Sequence, residues 1–430
     1  MVGLQLSFLH LIIIMFGGIA MTLRQDADRI IKNALFAALP DTAVKKALGE
    51  IKFSEGKVVL VALGKAAWQM AKAAWDQAGS RIDGGVVITK YDHSKGAIGN
   101  LEIFEAGHPV SDSNSYNATA RAIEIVSGLG KKDNVLLLIS GGGSALFEKP
   151  LVDEAENQDI TKQLLKCGAS IVEMNTLRKR LSAVKGGRFA QLCSPARVHA
   201  IILSDIIGDP LDMIASGPAY PDSSTCEQAV EIATRYKLKL SEKAQKLIRT
   251  ETPKSLDNVD TYVTGSVKQL CASAMESAKQ LGYEPVFLSA SLCCEARDAG
   301  SFLASIARDH QDSKKSLAFI AGGETVVHLT GHGLGGRNQE IALAAADEIA
   351  DCKETCVFSV GSDGTDGPTD AAGGYCDQDT KAKLKACTLD IQNVLNDNDA
   401  YHALQKVDGL IMTGATGTNV NDLTVLLIKR

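Results

Sequence analysis

The chain has 430 residues, 45% of them hydrophobic and 22% charged, which is long for a single core and too apolar for disorder, so two packed domains are expected. A net charge of −6 leaves no basic surplus to neutralise a nucleic-acid backbone, and an anionic ligand would need a local pocket of Lys, Arg and backbone N–H groups. The ten cysteines show no zinc-ligand spacing, Cys293 with Cys294 and Cys352 with Cys356 being the nearest pairs, and they read as free thiols of a reducing cytoplasm.

Met1 to Ala20 carries no charged side chain and contains the run LHLIIIMFGGIA. It is short for a spanning helix, no Lys or Arg precedes it, and Met21 opens an amphipathic pattern. Residues 1–20 therefore read either as lying ahead of the true start or as a targeting or membrane element; nothing else in the chain reads as membrane-bound. Ile30, Ile31, Ala34, Leu35 and Ala38 recur at helical spacing up to Pro40. Strands are then predicted at KVVLVA (57–62), GGVVIT (84–89), NVLLLIS (134–140) and VHAIILS (198–204), with helical stretches between them. Such short apolar runs suit a mostly parallel sheet covered on both faces. A polar, helix-rich stretch over 226–260 leads into a second series of strands at VDTYVTG, EPVFLS, SLAFIAGG, TCVFSVG, DGLIMTG and DLTVLLI. The expectation is α/β: two three-layer α/β/α domains with mostly parallel or mixed sheets and a cleft between them. A Rossmann-like domain is placed at 21–252 and a second α/β domain at 253–430.

In open α/β sheets ligands bind just beyond the carboxyl ends of strands. NVLLLIS runs into Ser140, Gly141, Gly142, Gly143 and Ser144, whose backbone N–H groups and hydroxyls suit an anion better than a plain turn. KVVLVA runs into Gly64 and Lys65, a cation where a helix opens and where an anion could be shared with the backbone. Beyond SLAFIAGG lie Glu324 and then Gly331, Gly333, Gly335, Gly336, Arg337 and Asn338. Glycines 331, 333 and 336 match G-x-G-x-x-G, so a dinucleotide fold is a live alternative. Yet TCVFSVG does not end in the acid that such a fold needs for the ribose, whereas Arg337 and Asn338 suit phosphate oxygens. Asp205 and Asp209 follow one strand, and Asp363, Asp366 and Asp370 another; magnesium takes one or two such carboxylates beside phosphate, while Asx turns would explain only one in each loop. Lys185 and Arg188 form a compact cationic pair suited to a carboxylate or to a solvated helix end. His108, in Gly-His-Pro, reads as a turn at least as readily as a catalytic group.

Taken in order, Gly64-Lys65-Ala66-Ala67, Gly107-His108-Pro109, Ser140 to Ser144, Lys185-Gly186-Gly187-Arg188, Ser204-Asp205 with Gly208-Asp209, and Ala215-Ser216-Gly217-Pro218 resemble the amino-terminal domain of glycerate 2-kinases. Gly322 to Thr325, Gly335 to Glu340, Gly361 to Asp370 and Thr416 to Asp422 resemble that family's MOFRL domain. The likeness runs from Met21 to Arg430. Two features depart from the pattern: Ala415 stands where the family commonly has Pro, and residues 1–20 lie outside it.

The resemblance implies an enzyme that transfers a phosphoryl group from ATP, with Mg2+, to the 2-hydroxyl of D-glycerate, and the free thiols place it in the cytoplasm. It makes Lys65 and Arg337 central to catalysis. With it come three further expectations: Lys65 and Arg337 meet from opposite domains, Asp205, Asp209 or Asp363 carries magnesium or accepts the hydroxyl proton, and the Arg188 cluster grips the carboxylate. Oligomeric state is left open, a homodimer being one option. The rivals are an NAD(P)H-dependent hydroxypyruvate reductase, resting on the 331, 333, 336 glycines, and a non-catalytic sensor of sugar acids or nucleotides.

Overall fold

The computed structural model describes residues 22–204, 208 and 210–430. The expectations placed on residues 1–20, Asp205 and Asp209 thus lie outside the described residues. β1 (Val58–Leu63), β2 (Gly84–Lys90), β3 (Leu101–Ala106), β4 (Asn134–Ile139), β5 (Arg197–Leu203) and β6 (Val259–Gly265) form a parallel six-stranded sheet in the order β3-β2-β1-β4-β5-β6. β1 and β4 are buried at every position and β5 at all but Arg197, because helices cover both faces, which is why they read as unbroken apolar runs. β3, with the sequence LEIFEA, is an edge strand whose alternating charges hid it from the strand reading.

The second sheet holds β7 (Glu284–Leu292), β8 (Leu317–Gly323), β9 (Thr355–Gly361), β10 (Gly373–Asp377), β11 (Leu410–Ile411) and β12 (Asp422–Ile428) in the order β11-β10-β9-β12-β8-β7. It is mixed: β7 and β8 are parallel, while β12 runs antiparallel to both β8 and β9. Asp422, the first residue of β12, therefore sits opposite Gly323 and Gly361, the last residues of β8 and β9.

Two assignments differ from the sequence reading. The strand at 259–265 belongs to the first sheet, where it pairs with β5. The helix Leu23–Ala37, opened by a capping box between Thr22 and Gln25, packs against the helix Val267–Gln280 of the second half. Its buried Asp26 accepts hydrogen bonds from Tyr283 and Lys429, both 2.7 Å. After this helix the chain crosses at Leu39 and enters the first half with Pro40 at the start of the helix Pro40–Glu50. Among the described residues no helix is long and apolar enough to cross a membrane.

Candidate functional site

In the first sheet the strand order reverses direction between β1 and β4, and their carboxyl ends are where such a sheet opens a crevice. Those ends carry Lys65 and the Ser140–Ser144 loop. The Lys65 N–H donates to the Gly141 carbonyl at 2.8 Å, and the Ser140 hydroxyl accepts from Ala66 N–H at 3.1 Å and donates to the Leu63 carbonyl. Ser140 thus stitches the two loops together. Gly142 holds φ +86, which a larger residue adopts only under strain, and a Cβ there would lie 3.0 Å from the His108 ring and 3.2 Å from Lys65 Cγ. Among the described residues nothing accepts the backbone N–H of Gly141, Gly142, Gly143 or Ser144. The Lys65 ammonium is exposed and makes no ion pair with them either. Beneath the loop, Ala215 and Ser216 both adopt left-handed φ, 50 and 61, conformations that cost about 1–2 kcal/mol each. Ser216 Oγ holds this turn, lying 2.9 Å from Ser144 Oγ and donating to Asn175 Oδ1 at 3.0 Å.

Lys65, Ser140 and Gly141 face Asp363, Thr418 and Asn419 of the second half across a cavity of about 410 Å³. Asp363 is half-buried; its Oδ1 accepts from Thr365 N–H at 3.0 Å, and its Oδ2 takes no hydrogen bond among the described residues. Arg337 stands on Asp422, immediately past the segment that supplies Thr418 and Asn419. Its Nε and Nη2 reach the two carboxylate oxygens of Asp422 at 2.5 and 3.1 Å, and Nη1 reaches Glu324 at 3.2 Å. Burial opposes the Arg337 charge, but the Asp422 carboxylate outweighs it and the guanidinium pKa is raised. Glu324 also accepts from the Asn421 amide at 3.2 Å.

The other glycine loop is filled by the protein itself. The N–H groups of Gly331, His332, Gly333 and Leu334 all donate to the turn 397–399, at 2.9 Å to Asn398 Oδ1, 3.0 Å to Asp397 Oδ1, 2.7 Å to the Asp397 carbonyl and 2.9 Å to Asp399 Oδ1. Side chains on Gly331 or Gly333 would strike Asp397 or Asp399 within 2.6 Å. Gly335 lies against the Asn398 carbonyl and Gly336 against Asp366, so the expected phosphate contacts at Gly335 and Gly336 give way to packing between two chain segments. Asn338 is fully buried, its amide on Asp366 and its carbonyl oxygen taken by Ser359.

Asp366, expected at a metal, instead caps the helix Arg337–Glu348: its carboxylate accepts the N–H of Asn338 at 3.1 Å and of Gln339 at 2.9 Å. Burial raises its pKa to about 6 against those hydrogen bonds. Lys185 and Arg188 are corrected in the same way. Lys185 is fully buried, with Glu148 at 2.6 Å and the Phe147 carbonyl at 3.0 Å. Arg188 donates to the carbonyls of Lys179, Arg180 and Ser182, closing the end of the helix Ile171–Leu181. Among the described residues the one grouping of three potential metal ligands, Cys226, Glu227 and Glu251, lies elsewhere, at the start of the helix Cys226–Arg235.

A second cavity, about 510 Å³, opens on the other side of the Ser140–Ser144 loop, with Gly142, Ser144, His108 and Arg178 in its wall. Burial lowers the His108 pKa, and the nearby charge of Lys65 adds to that. Of the consecutive cations 178–180, Lys179 pairs with Asp212 and Asp222, both at 3.0 Å, and Arg180 with Asp222 and Glu251. Arg178 makes no hydrogen bond or ion pair among the described residues, and burial lowers its pKa. The sequence reading passed over it; its only signal was a third cation in a run whose acidic partners, far along the chain, suffice for two.

Residues 26–249 match a family described as a domain of unknown function, DUF4147, and residues 317–422 match the MOFRL family. The D-glycerate 2-kinase of Thermotoga maritima is 50% identical over 95% of this chain and 99% of its own length. The glycerate 2-kinase of Pyrococcus horikoshii is 38% identical over 95% of this chain and 98% of its own. A protein of Agrobacterium vitis named a putative hydroxypyruvate reductase is 40% identical over 87% of this chain and all of its own length. The crystal structure of a Thermotoga maritima glycerate kinase superposes with a TM-score of 0.90 over 94% of this chain and 99% of that one, at 50% identity. The order of motifs, the reversal point of the first sheet and these full-length matches agree: the chain belongs to the glycerate 2-kinase family.

Proposed function

We propose that this protein transfers the terminal phosphoryl group of ATP, with magnesium, to the 2-hydroxyl of D-glycerate, giving 2-phosphoglycerate. The observation that carries the reading is Lys65 and the N–H groups of Gly141 to Ser144, all without a partner among the described residues, across a cavity from Asp363. Phosphoryl transfer is mostly positioning and neutralisation of charge. Lys65 and the loop N–H groups meet the oxygens of the transferred group from one half. Arg337, oriented by Asp422 and Glu324, adds a fixed positive charge from the other. Asp363 fits a magnesium ion, which takes few protein carboxylates and completes its shell with phosphate and water; bound there, the ion would neutralise charge on the nucleotide phosphates. Asp366 does not fit, since both of its oxygens hold helix N–H groups. The ten free cysteines suit a cytoplasmic enzyme.

The reductase reading required the 331, 333, 336 glycines to cradle a pyrophosphate, and that cradle is occupied by Asp397, Asn398 and Asp399. One assay decides between them: purified protein with D-glycerate, ATP and Mg2+ is followed for ADP, and phosphorus NMR locates the phosphate on the product. ADP release dependent on D-glycerate, with the phosphate on carbon 2, is expected. NADH oxidation with hydroxypyruvate and no ADP release would overturn the reading.

A further inference from the structure

The cation that the sequence reading assigned to a carboxylate, in the cluster around Arg188, is engaged by three carbonyls. That leaves the question of what holds the acid. The wall of the 510 Å³ cavity holds Glu148 and Arg178; Glu148 pairs at 2.6 Å with Lys185, buried behind it, and Arg178, although the Glu148 charge reaches it, makes no hydrogen bond or ion pair among the described residues. Glu148, Lys185 and Arg178 together carry one net positive charge in partly desolvated surroundings, with Lys162 exposed in the same wall, a costly arrangement unless an anion completes it. A planar guanidinium favours a carboxylate, which it can grip through two parallel hydrogen bonds. The mouth is lined by Val110, Leu165 and Ile171, exposed apolar side chains that lower the local dielectric around such a pair.

We propose that the Arg178 cavity is the acceptor site, in which Arg178 grips the carboxylate of the hydroxy acid while the phosphoryl donor enters through the cleft at Lys65. The proposal rests on the phosphotransferase reading above. Charge matching assigns the two cavities. A nucleotide triphosphate needs cations and a metal ligand, which the cleft supplies as Lys65, Lys95 and Asp363, with Asp92 beside them; the Arg178 cavity offers Arg178 and the exposed Lys162 against Glu148, enough for one carboxylate. Geometry joins them, because Gly142 touches both sides: a Cβ there would meet the His108 ring of one cavity and Lys65 of the other. An acid anchored at Arg178 extends its hydroxyl toward the loop whose free N–H groups hold the transferred group.

The test uses the full chain and steady-state kinetics with both substrates varied. Arg178→Ala is expected to raise the KM for D-glycerate by about 100-fold, the range for losing one partner of a desolvated charge pair, and to leave the KM for ATP within about threefold. Arg178→Lys, which keeps the charge and endangers folding less, is expected to fall between. Two further readouts separate recognition from damage to the fold. The wild type should prefer D-glycerate strongly over glycerol, which lacks the carboxylate, and Arg178→Ala should lose that preference. Calorimetry with D-glycerate and nucleotide-free protein should show binding that vanishes in Arg178→Ala. An unchanged KM for D-glycerate in both variants, or a rise confined to ATP, overturns the proposal and leaves the kinase reading standing. Arg178-dependent binding of D-glycerate by a protein that releases no ADP would uphold the site and overturn the kinase reading.

Discussion

Two glycine-rich loops follow strands in this protein, and they do opposite things. The loop at 140–144 keeps four successive N–H groups free of acceptors among the described residues and stands between two cavities. The loop at 331–336 spends its N–H groups on the turn 397–399 and uses its missing side chains to let two chain segments touch. Glycine lets backbone approach something closely, and whether that something is a ligand or another part of the chain is settled by what the fold brings opposite. Opposite the first loop, among the described residues, the fold leaves a cavity with Asp363, Thr418 and Asn419 on its far side; opposite the second it brings Asp397, Asn398, Asp399 and Asp366 into contact. The same contrast separates the cations: among the described residues Lys65 and Arg178 make no ion pair, while Lys185 and Arg188 are absorbed by Glu148 and by a helix end.

The largest expected effect tests the first loop. Lys65→Ala should lower kcat by two to three orders of magnitude, roughly the loss on removing one charge from a preorganised electrostatic site. Its thermal unfolding should hardly change, because the side chain is exposed and unpaired. Arg337→Ala should lower turnover comparably but also destabilise, by about 2–3 kcal/mol. That is less than for a fully buried pair, since the Arg337 side chain is 34% exposed against 4% for Asp422. Adding Asp422→Asn to Arg337→Ala should recover stability without recovering turnover. Recovery of both would reduce Arg337 to a structural role.

Next in size is a direct exchange between the loops. Gly333→Ala places a Cβ 2.4 Å from the Asp399 Cβ and 2.6 Å from the Asp397 carbonyl oxygen, and should cost about 1–3 kcal/mol of stability as overpacking, with both KM values unchanged. Gly142→Ala should cost only about 1 kcal/mol, for a left-handed alanine, yet lower kcat/KM at least about tenfold by crowding the free N–H groups. Urea unfolding and steady-state kinetics on both variants check this. Stability loss without kinetic loss at Gly142 would erase the contrast between the loops.

What could be read from the chain alone follows the same division. β1, β4 and β5 were legible because both faces are buried, and the residues just past β1 and β4 were legible because a parallel sheet presents its carboxyl ends to ligands. Lys65 and Ser140 to Ser144 are expected at a ligand on that ground. β6 was assigned to the wrong sheet because local pattern says nothing of which neighbour a strand will pair with. Asp366 and Asp363 stand in one Gly-, Ser- and Thr-rich loop and look alike in sequence. They part only because helix 337–348 begins beneath Asp366 and the cleft opens beside Asp363. Arg178, Lys179 and Arg180 are consecutive, and long-range pairing with Asp212, Asp222 and Glu251 decides which one is left over.

The smallest effect concerns Asp366 and separates a helix cap from a metal ligand. Its folded-state pKa, about 6, lies above the model-peptide value of 3.8. The sign follows from linkage: the folded protein binds this proton more tightly than the unfolded chain, so the contribution to stability is fully present below pH 3.8 and is lost as pH rises through about 6. The two values differ by about two units, which corresponds to roughly 3 kcal/mol across that window. Asp366→Asn keeps an oxygen for one helix N–H and removes the titration, so its stability should be flatter with pH than that of the wild type, while kcat stays within about twofold. Denaturant unfolding at intervals across the window, with turnover measured on the same preparations, reads both. A magnesium ligand would differ in turnover, which the amide would abolish. That outcome would return Asp366 to the cleft and place the second glycine loop back among the ligand-binding elements.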